Sequence, residues 1–391
     1  MMKIALLLTS NLENINGYFN NVRTRVKYLN NYKDIELSVF LIRFQNDWLL
    51  RLLLGRKKQL KSDFVLIDKI KYNNLWVRYT FIDVIFTYVL GLRDIPCKKQ
   101  LNLLVPAFSK YDIILAHSFE GKYIAYNAKK KFKIPYINGW HGSDLNIMPF
   151  RSKRIYLLHK QLIAAADYNL FVSKKLLEKS NELVDSMNKG VSYSGISSAF
   201  VPFDELIIRK LKEEYHFPEG RIIGFVGCLR NIKNVLILPA IFKTLQEKLE
   251  NVSFVIVGEG NLNLKLRKSM RNMGVEKCFF MGRVESEDMP KIMNCLDLLI
   301  LPSLNEGLPL VAIEAIACGV PVVGSKVGGI SEAIGEQNVF PLDTEFVKRI
   351  SNRIMEILLN SEPAPNLSSV FSWSKTINDL VYKCEQIVSM K

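Results

Sequence analysis

The sequence predicts an α/β protein made of two Rossmann-like, doubly wound parallel-sheet domains that face each other across a cleft. Three observations predict it. Short apolar runs alternate with amphipathic helical patterns along the chain, as in parallel sheets covered by helices. The length, 391 residues, exceeds one ordinary core and favours two domains. In the second half, consecutive strand-like runs end in glycine-bearing loops, the place where open α/β sheets bind ligands.

The elements follow in order. The opening run, Met1 to Ser10, reads as a first buried strand rather than a secretory signal, because its apolar stretch is short and no small-residue cleavage site follows. First-half strands are expected at 3–8, 36–42, 112–116, 134–138 and 168–172, with helices over 19–30, 120–131, 153–166 and 173–180. Second-half strands are expected at 221–226, 252–257, 277–281, 297–301, 320–324 and 338–340. Helices over 234–249, 261–273, 286–294, 309–318, 329–335 and 344–360 lie between and after them. Small and turn-forming residues at 195–206 mark the connection. The reading is therefore an N-terminal Rossmann-like domain over 1–200, a C-terminal Rossmann-like domain over 201–365, and a last helix within 366–391 packing back towards the first domain.

Composition limits the function classes. Apolar residues make up 49% and charged residues 23%, a globular balance rather than a disordered one. No run approaches the roughly 18 uninterrupted apolar residues of a membrane span. Six cysteines without CxxC spacing suggest reduced, mostly buried thiols and a cytoplasmic setting. Residues 1–200 hold 31 Lys+Arg against 15 Asp+Glu, a balance of +16, so the remainder carries −1 of the total +15. A cationic first half suits anionic lipid headgroups or phosphorylated substrates. Trp48 to Lys61 mixes bulky apolar residues with clustered cations, which fits either a membrane-interface helix or an ordinary surface helix. No stacking platform or binding motif supports a nucleic-acid partner.

The motif with most chemical content runs from Leu299 to Gly324 as strand, turn, helix and strand. Pro309 suits the first helical turn and Gly319 the stop. Backbone N–H groups around Gly307 to Leu310, at Gly307, Leu308 and Leu310, would point from the helix start towards a diphosphate. Glu306 lies in the turn, and Glu314 is placed to accept from two adjacent ribose hydroxyls. Three further loops follow neighbouring strands: Gly227-Cys228-Leu229-Arg230-Asn231-Ile232-Lys233, Val257-Gly258-Glu259-Gly260 and Met281-Gly282-Arg283-Val284. Each glycine alone fits a tight turn; their convergence points to a nucleotide-diphosphate site.

These residues carry a resemblance. Glu306 and Glu314 with Gly-Leu-Pro between them, Ala317-Cys318-Gly319-Val320-Pro321-Val322-Val323 after them, and Gly328-Gly329 followed by Glu332 resemble the retaining GT-B glycosyltransferases of family four, the glycosyl transferases group 1. The match covers residues 220–345, with a looser one at Ile137 to Asp144. The resemblance implies that Glu314 holds the donor ribose, that Glu306 lies beside the donor sugar, and that Gly307, Leu308 and Pro309 face sugar and diphosphate. It puts Lys233 on the diphosphate, His141 at the donor sugar and Gly17 under the phosphates. Glu259 and Val284 complete the donor set, Val284 through largely backbone contacts to the base. The family's arginine after the phosphate-loop glycine is replaced by Cys228, which leaves two alternatives: Arg230, two positions on, supplies that charge, or Lys233 acts alone.

The implied function is retaining transfer of a sugar from a nucleotide-sugar donor, UDP-linked before GDP-mannose, to a growing, lipid-linked surface glycan such as a capsule or lipopolysaccharide. Glu306, Lys233, Arg230 and His141 form the catalytic set. No Asp-x-Asp motif occurs, so no metal and no cofactor is expected, the nucleotide sugar being a substrate. The expected location is peripheral, on the cytoplasmic face of the plasma membrane. A GT-B epimerase or hydrolase using the same donor site is the alternative. A nicotinamide-dependent dehydrogenase is disfavoured because no GxGxxG follows the first strand. His117, at the end of a buried strand, fits a structural role better than an acceptor contact; His159 and His216 read as surface or helix residues.

Overall fold

The computed structural model describes residues 1–10, 17–53 and 61–390. The chain divides into two compact units, Met1–Ser194 with Trp373–Lys391, and Gly195–Ser372.

The first unit is built on eight strands: β1 (Met2–Thr9), β2 (Ile35–Asn46), β3 (Phe64–Ile67), β4 (Ile70–Tyr79), β5 (Ile113–Ala116), β6 (Tyr136–Trp140), β7 (Tyr168–Phe171) and β8 (Lys189–Val191). Their spatial order is β3-β4-β2-β1-β5-β6-β7-β8. All pair in parallel except the β3–β4 hairpin at the edge. β1 is apolar on both faces because both are covered. Ala5 and Leu7 join Ile114 and the helix residues Tyr123, Ile124 and Ala128 on one side. Ile4, Leu6 and Leu8 join Phe19, Val22 and Val26 of the helix Gly17–Leu29 on the other. The last helix, Trp373–Ser389, packs on this second face through Trp373, Ile377, Leu380 and Cys384.

The second unit carries β9 (Arg221–Val226), β10 (Val252–Val257), β11 (Cys278–Gly282), β12 (Leu298–Leu301), β13 (Val322–Ser325) and β14 (Val339–Phe340). Their order, β11-β10-β9-β12-β13-β14, is parallel throughout. Ile223, Phe225, Phe254, Ile256 and Ile300 bury one face under the helices Leu238–Gln246 and Phe346–Leu359.

Some expected elements change. The β3–β4 hairpin and β8 lie where the sequence suggests no strand. The helix expected over 234–249 begins only at Leu238, after two 3-10 turns, because Asn234 is left-handed (φ 52°) and interrupts it. Of the interfacial segment 48–61, Trp48–Leu53 is helical, and 54–60 lies outside the described residues. Of the two alternatives for His159, surface or helix, the second holds: it lies in the helix Lys153–Ala165 and is fully buried, stacked on Phe119, with Nδ1 2.8 Å from the Ile155 carbonyl. Its burial lowers its pKa to about 4, so it is neutral at pH 7.

Candidate functional site

Strand order reverses between β9 and β12 in the second unit, so the loops leaving these two strands flank a topological switch point. They are tied directly. Leu304 N–H donates to the Ile232 carbonyl at 2.8 Å. Lys233 Nζ, from the β9 loop, lies 2.5 Å from Glu306 Oε1 in the β12 loop. Ser303 Oγ donates to the same carboxylate oxygen at 2.7 Å. Ser303 is fully buried, and its own carbonyl accepts from Ser325 Oγ at the end of β13. Three adjacent strand ends thus hold one carboxylate and one ammonium group.

The glycine pair beyond β13 braces this turn. A Cβ on Gly328, which has φ +52°, would sit 1.9 Å from the Glu306 carbonyl oxygen. Gly329 N–H donates to the Gly307 carbonyl at 3.1 Å. The helix Leu310–Ala317 starts just after, and no side chain caps it, Pro309 being the residue before its first turn. The amides of Ala312 and Ile313 donate to the Pro309 carbonyl, which leaves those of Leu310 and Val311 at the helix mouth, where the sign of a helix start favours an anion. Gly319 has φ +79° and stops the helix. Glu314 sits in that helix with no partner among the described residues. Desolvation alone raises its carboxyl from 4.5 to about 7.

The other loops of this unit interlock through glycines. A Cβ on Gly258 would lie 2.0 Å from the Gly227 carbonyl oxygen, and one on Gly260 2.2 Å from that of Leu229. Leu229 N–H donates to the Glu259 carbonyl at 2.9 Å, and Gly258 N–H to that of Gly282 at 2.7 Å. The loops carrying Gly227, Glu259 and Val284 therefore form a continuous rim. Arg230 is exposed and, among the described residues, holds no carboxylate. The thiols are mostly buried, as expected, at Cys97, Cys295, Cys318 and Cys384, whereas Cys228 is exposed.

The first unit gathers a separate cluster at its own switch point, between β1 and β5. His117, one residue past β5, places Nδ1 3.0 Å from His141 Nε2, one residue past β6. Desolvation lowers both histidines well below their ordinary value, and each stays neutral at pH 7. Tyr18 meets the His141 ring edge-on at 4.8 Å. Gly139 makes room for this pair, since a Cβ there would lie 2.3 Å from His117 Nδ1. The flanking glycines therefore do not expose His141, which is half-buried. Asp144 Oδ1 accepts from the amides of His141 at 3.0 Å and Gly142 at 2.9 Å, holding Gly142 at φ +135°. Its Oδ2 pairs at 2.7 Å with Lys122, which is fully buried and lies 3.9 Å from the centre of the Trp140 ring. Glu120 accepts from Thr9 Oγ1 at 3.0 Å, and burial raises its pKa. Gly17 opens its helix with no neighbour within 4 Å of a would-be Cβ, and residues 11–16 before it lie outside the described residues.

Comparison with known proteins bears on the second unit. Residues 208–369 match the model for glycosyl transferases group 1, which makes that segment a group 1 glycosyl transferase domain. TuaC of Bacillus subtilis, a glycosyltransferase assigned to teichuronic acid biosynthesis, is 30% identical over 205 residues, covering 52% of this chain. The chain spans about half the length of that relative, 50%. Sucrose-phosphate synthase from Thermosynechococcus elongatus superposes with a TM-score of 0.78 over 100% of both chains at 16% identity. Anabaena HepE in complex with UDP-glucose gives 0.69 at 18% identity, covering 100% of this chain and 99% of HepE. At such identities the likeness shows the fold, and the fold is GT-B.

The residues singled out from sequence fall into two sets. Gly227, Lys233, Glu259, Val284, Glu306, Gly307, Leu308, Pro309 and Glu314 lie on the loops and helix start just described in the second unit. Gly17 and His141 lie in the first. Sequence reasoning missed Ser303, Lys122, Asp144 and Glu120 as parts of these clusters. The signal for Asp144 was present, three residues after His141 in a Gly-Ser turn. Among the described residues, no helix is long and apolar enough to cross a membrane.

Proposed function

We propose that the chain is a retaining glycosyltransferase that moves a sugar from a UDP-linked donor to a growing, lipid-linked surface glycan. One observation carries the reading: the Lys233–Glu306 pair, bridging the two loops of a switch point beside an uncapped helix start and an unpartnered Glu314. The set has a polarity suited to a sugar nucleotide. Glu314 supplies a desolvated acceptor for ribose hydroxyls, and the helix start and Lys233 supply positive potential for two phosphates. HepE, of the same fold, is described in complex with UDP-glucose, which supports a UDP donor.

Breaking the anomeric bond leaves cationic character on the sugar and added negative charge on the departing diphosphate. Lys233, with Arg230 as the second cation, and the amides at the start of Leu310–Ala317 stabilise the latter. Glu306 lies beside the sugar. Retention places the acceptor hydroxyl on the face that the diphosphate leaves, and a phosphate oxygen takes its proton. The neutral His141 offers a hydrogen bond to a sugar hydroxyl rather than a charge. Since side chains and amides provide the counter-charge, the proposal requires no divalent metal. The acceptor's lipid anchor draws support from the +16 balance of residues 1–200, which favours the anionic cytoplasmic leaflet.

A thermal-shift panel of nucleotide sugars tests the reading, since a ligand that binds only the folded state raises the melting temperature. UDP-sugars are expected to raise it with EDTA present. A panel in which no nucleotide sugar shifts the transition removes the proposal, and a shift that vanishes with EDTA removes metal independence.

A further inference from the structure

The segment between β4 and the helix Lys98–Leu104 has its polarity inverted. Its buried side chains include the polar Asp83 and Thr87, whereas Ile82, Phe86, Tyr88, Val89, Leu90 and Leu92 are exposed, Val89 at 71%. A soluble surface does not require this arrangement, and contiguous exposed apolar groups mark an interaction site. The segment is nonetheless well held. Thr80 and Asp83 form a reciprocal capping box, and one wide π turn spans Ile85–Val89. Asp83 also takes Arg93 at 2.7 Å and the Cys97 amide at 3.2 Å, so one buried carboxylate ties both ends of the loop.

It forms an arch over the rim of the first sheet. It leaves the end of β4 and reaches Ser152, beyond β6, where a Cβ on Gly91 would lie 3.5 Å from the Ser152 Cβ. β2, β1 and β5 lie between these two strands, so the arch passes the end of the sheet where Thr9, Glu120 and His117 gather. The Glu120 charge acts on the Tyr88 hydroxyl. Beside the arch, Ile147 and Phe150 are also exposed, Phe150 at 57%.

Cations frame the apolar surface. Residues 82–99 and 147–157 contain Arg93, Lys98, Lys99, Arg151, Lys153 and Arg154, against Asp83 and Asp94 only. Asp83 is buried on Arg93, and Asp94 is paired with Lys98 at 2.7 Å. Arg151 stacks over Tyr88 at 5.4 Å and Arg93 over Phe86 at 5.0 Å, so guanidinium groups and aromatic rings share one layer.

We propose that the arch Ile82–Leu92, with Ile147 and Phe150, is a seat for an anionic phospholipid bilayer. Its apolar side chains enter the headgroup boundary while the surrounding cations meet lipid phosphates, the arrangement of interfacial anchors. The inference rests on the lipid-linked-acceptor reading above and gives it a location: the Glu120–His117 rim is brought against the leaflet.

Vesicle flotation tests the seat. The full chain should float with phosphatidylcholine vesicles containing phosphatidylglycerol, stay behind with phosphatidylcholine alone, and detach in high salt. V89D/L90D, at two exposed positions, should cut anionic-vesicle binding at least about tenfold, with the nucleotide-sugar thermal shift unchanged. V89W should show blue-shifted emission on anionic vesicles and quenching by brominated acyl chains. A chain that ignores anionic vesicles, or a V89D/L90D variant that floats like the parent, overturns the proposal. A missing thermal shift with intact flotation sinks the transferase reading and leaves the seat standing.

Discussion

Lys233 Nζ and Glu306 Oε1 meet at 2.5 Å across the switch point of the second sheet. The pair pre-orients both groups, but it also makes Glu306 a competitor for the cation that a diphosphate would use. The two partners should therefore respond differently to substitution. K233A should weaken UDP binding and lower kcat by about 10²–10³-fold, the usual cost of removing a charged transition-state partner. E306Q frees Lys233, so UDP should bind as tightly as before or more tightly while transfer falls. Calorimetric titration of UDP into both variants checks this. Equal loss of UDP affinity in the two would mean that Lys233 does not serve the phosphates.

Glu314 predicts a pH dependence. Its carboxyl, raised to about 7 by desolvation, is substantially protonated at pH 6 and ionised at pH 8. Only the ionised form accepts from two ribose hydroxyls, so donor affinity should rise through pH 7 and level off above it. Stability runs the opposite way. A carboxyl whose folded pKa is raised binds its proton more tightly when folded, so its contribution is lost as pH climbs from 4.5 towards 7. E314Q should remove both effects: no donor-induced thermal shift, and a melting temperature at pH 8 about 2–6 °C above the parent. A donor shift that survives in E314Q would refute the ribose assignment.

Much of the second sheet is legible because its chemistry is written locally. Gly258, Gly328 and Glu306 stand directly at strand ends, and their neighbours in space are the next loops along the same rim. The first sheet hides more. β3 alternates exposed and half-buried positions at the sheet edge, and β4 beside it fully buries only Tyr72 and Val77, so no apolar run announces them. The His117–His141 contact depends on β5 and β6 being adjacent, and the Lys122–Asp144 pair on a helix crossing β6, neither of which 24- or 22-residue separations disclose. Composition predicts mostly buried thiols without saying which is the exception; the loop position of Cys228 makes it the exposed one.

That exposure gives a third test. Cys228 lies between Gly227 and Arg230, while four of the other five thiols are buried and Cys278 is half-buried. Iodoacetamide under native conditions should modify Cys228 first, and a bound UDP-sugar should slow the reaction several-fold. C228R restores the cation usual in the resembled family and should tighten UDP binding by about 1 kcal/mol. Peptide mapping after brief alkylation, with and without donor, reads the outcome; modification unaffected by any shifting donor would place the phosphates elsewhere.

Gly328 offers a steric test of the same turn. A methyl group there would collide with the Glu306 carbonyl at 1.9 Å on a backbone already at φ +52°. Backbone must move, so G328A should cost about 2–4 kcal/mol and abolish the donor shift while far-ultraviolet circular dichroism remains native. G324A, by contrast, would crowd the β12–β13 layer, with Leu301 oxygen at 2.7 Å, and should lower stability without selectively affecting the Glu306 turn.

The Lys122–Asp144 pair carries the last prediction. Lys122 is fully buried, and its pKa is lowered by desolvation against the opposing pull of Asp144. D144N leaves the ammonium without its counter-charge and weakens the acceptor that fixes the His141 and Gly142 amides, so it should cost about 3–5 kcal/mol. K122M/D144N removes the buried charge while keeping a side-chain oxygen for the two amides, and should recover most of that stability. If Asp144 acts on His141 only through those amides, the double variant should also recover the donor's KM, leaving kcat within a few-fold of the parent. Recovery of stability with kcat still depressed would instead assign the buried Lys122–Asp144 charges a direct electrostatic part in the reaction, because those charges would then be what the double variant does not restore.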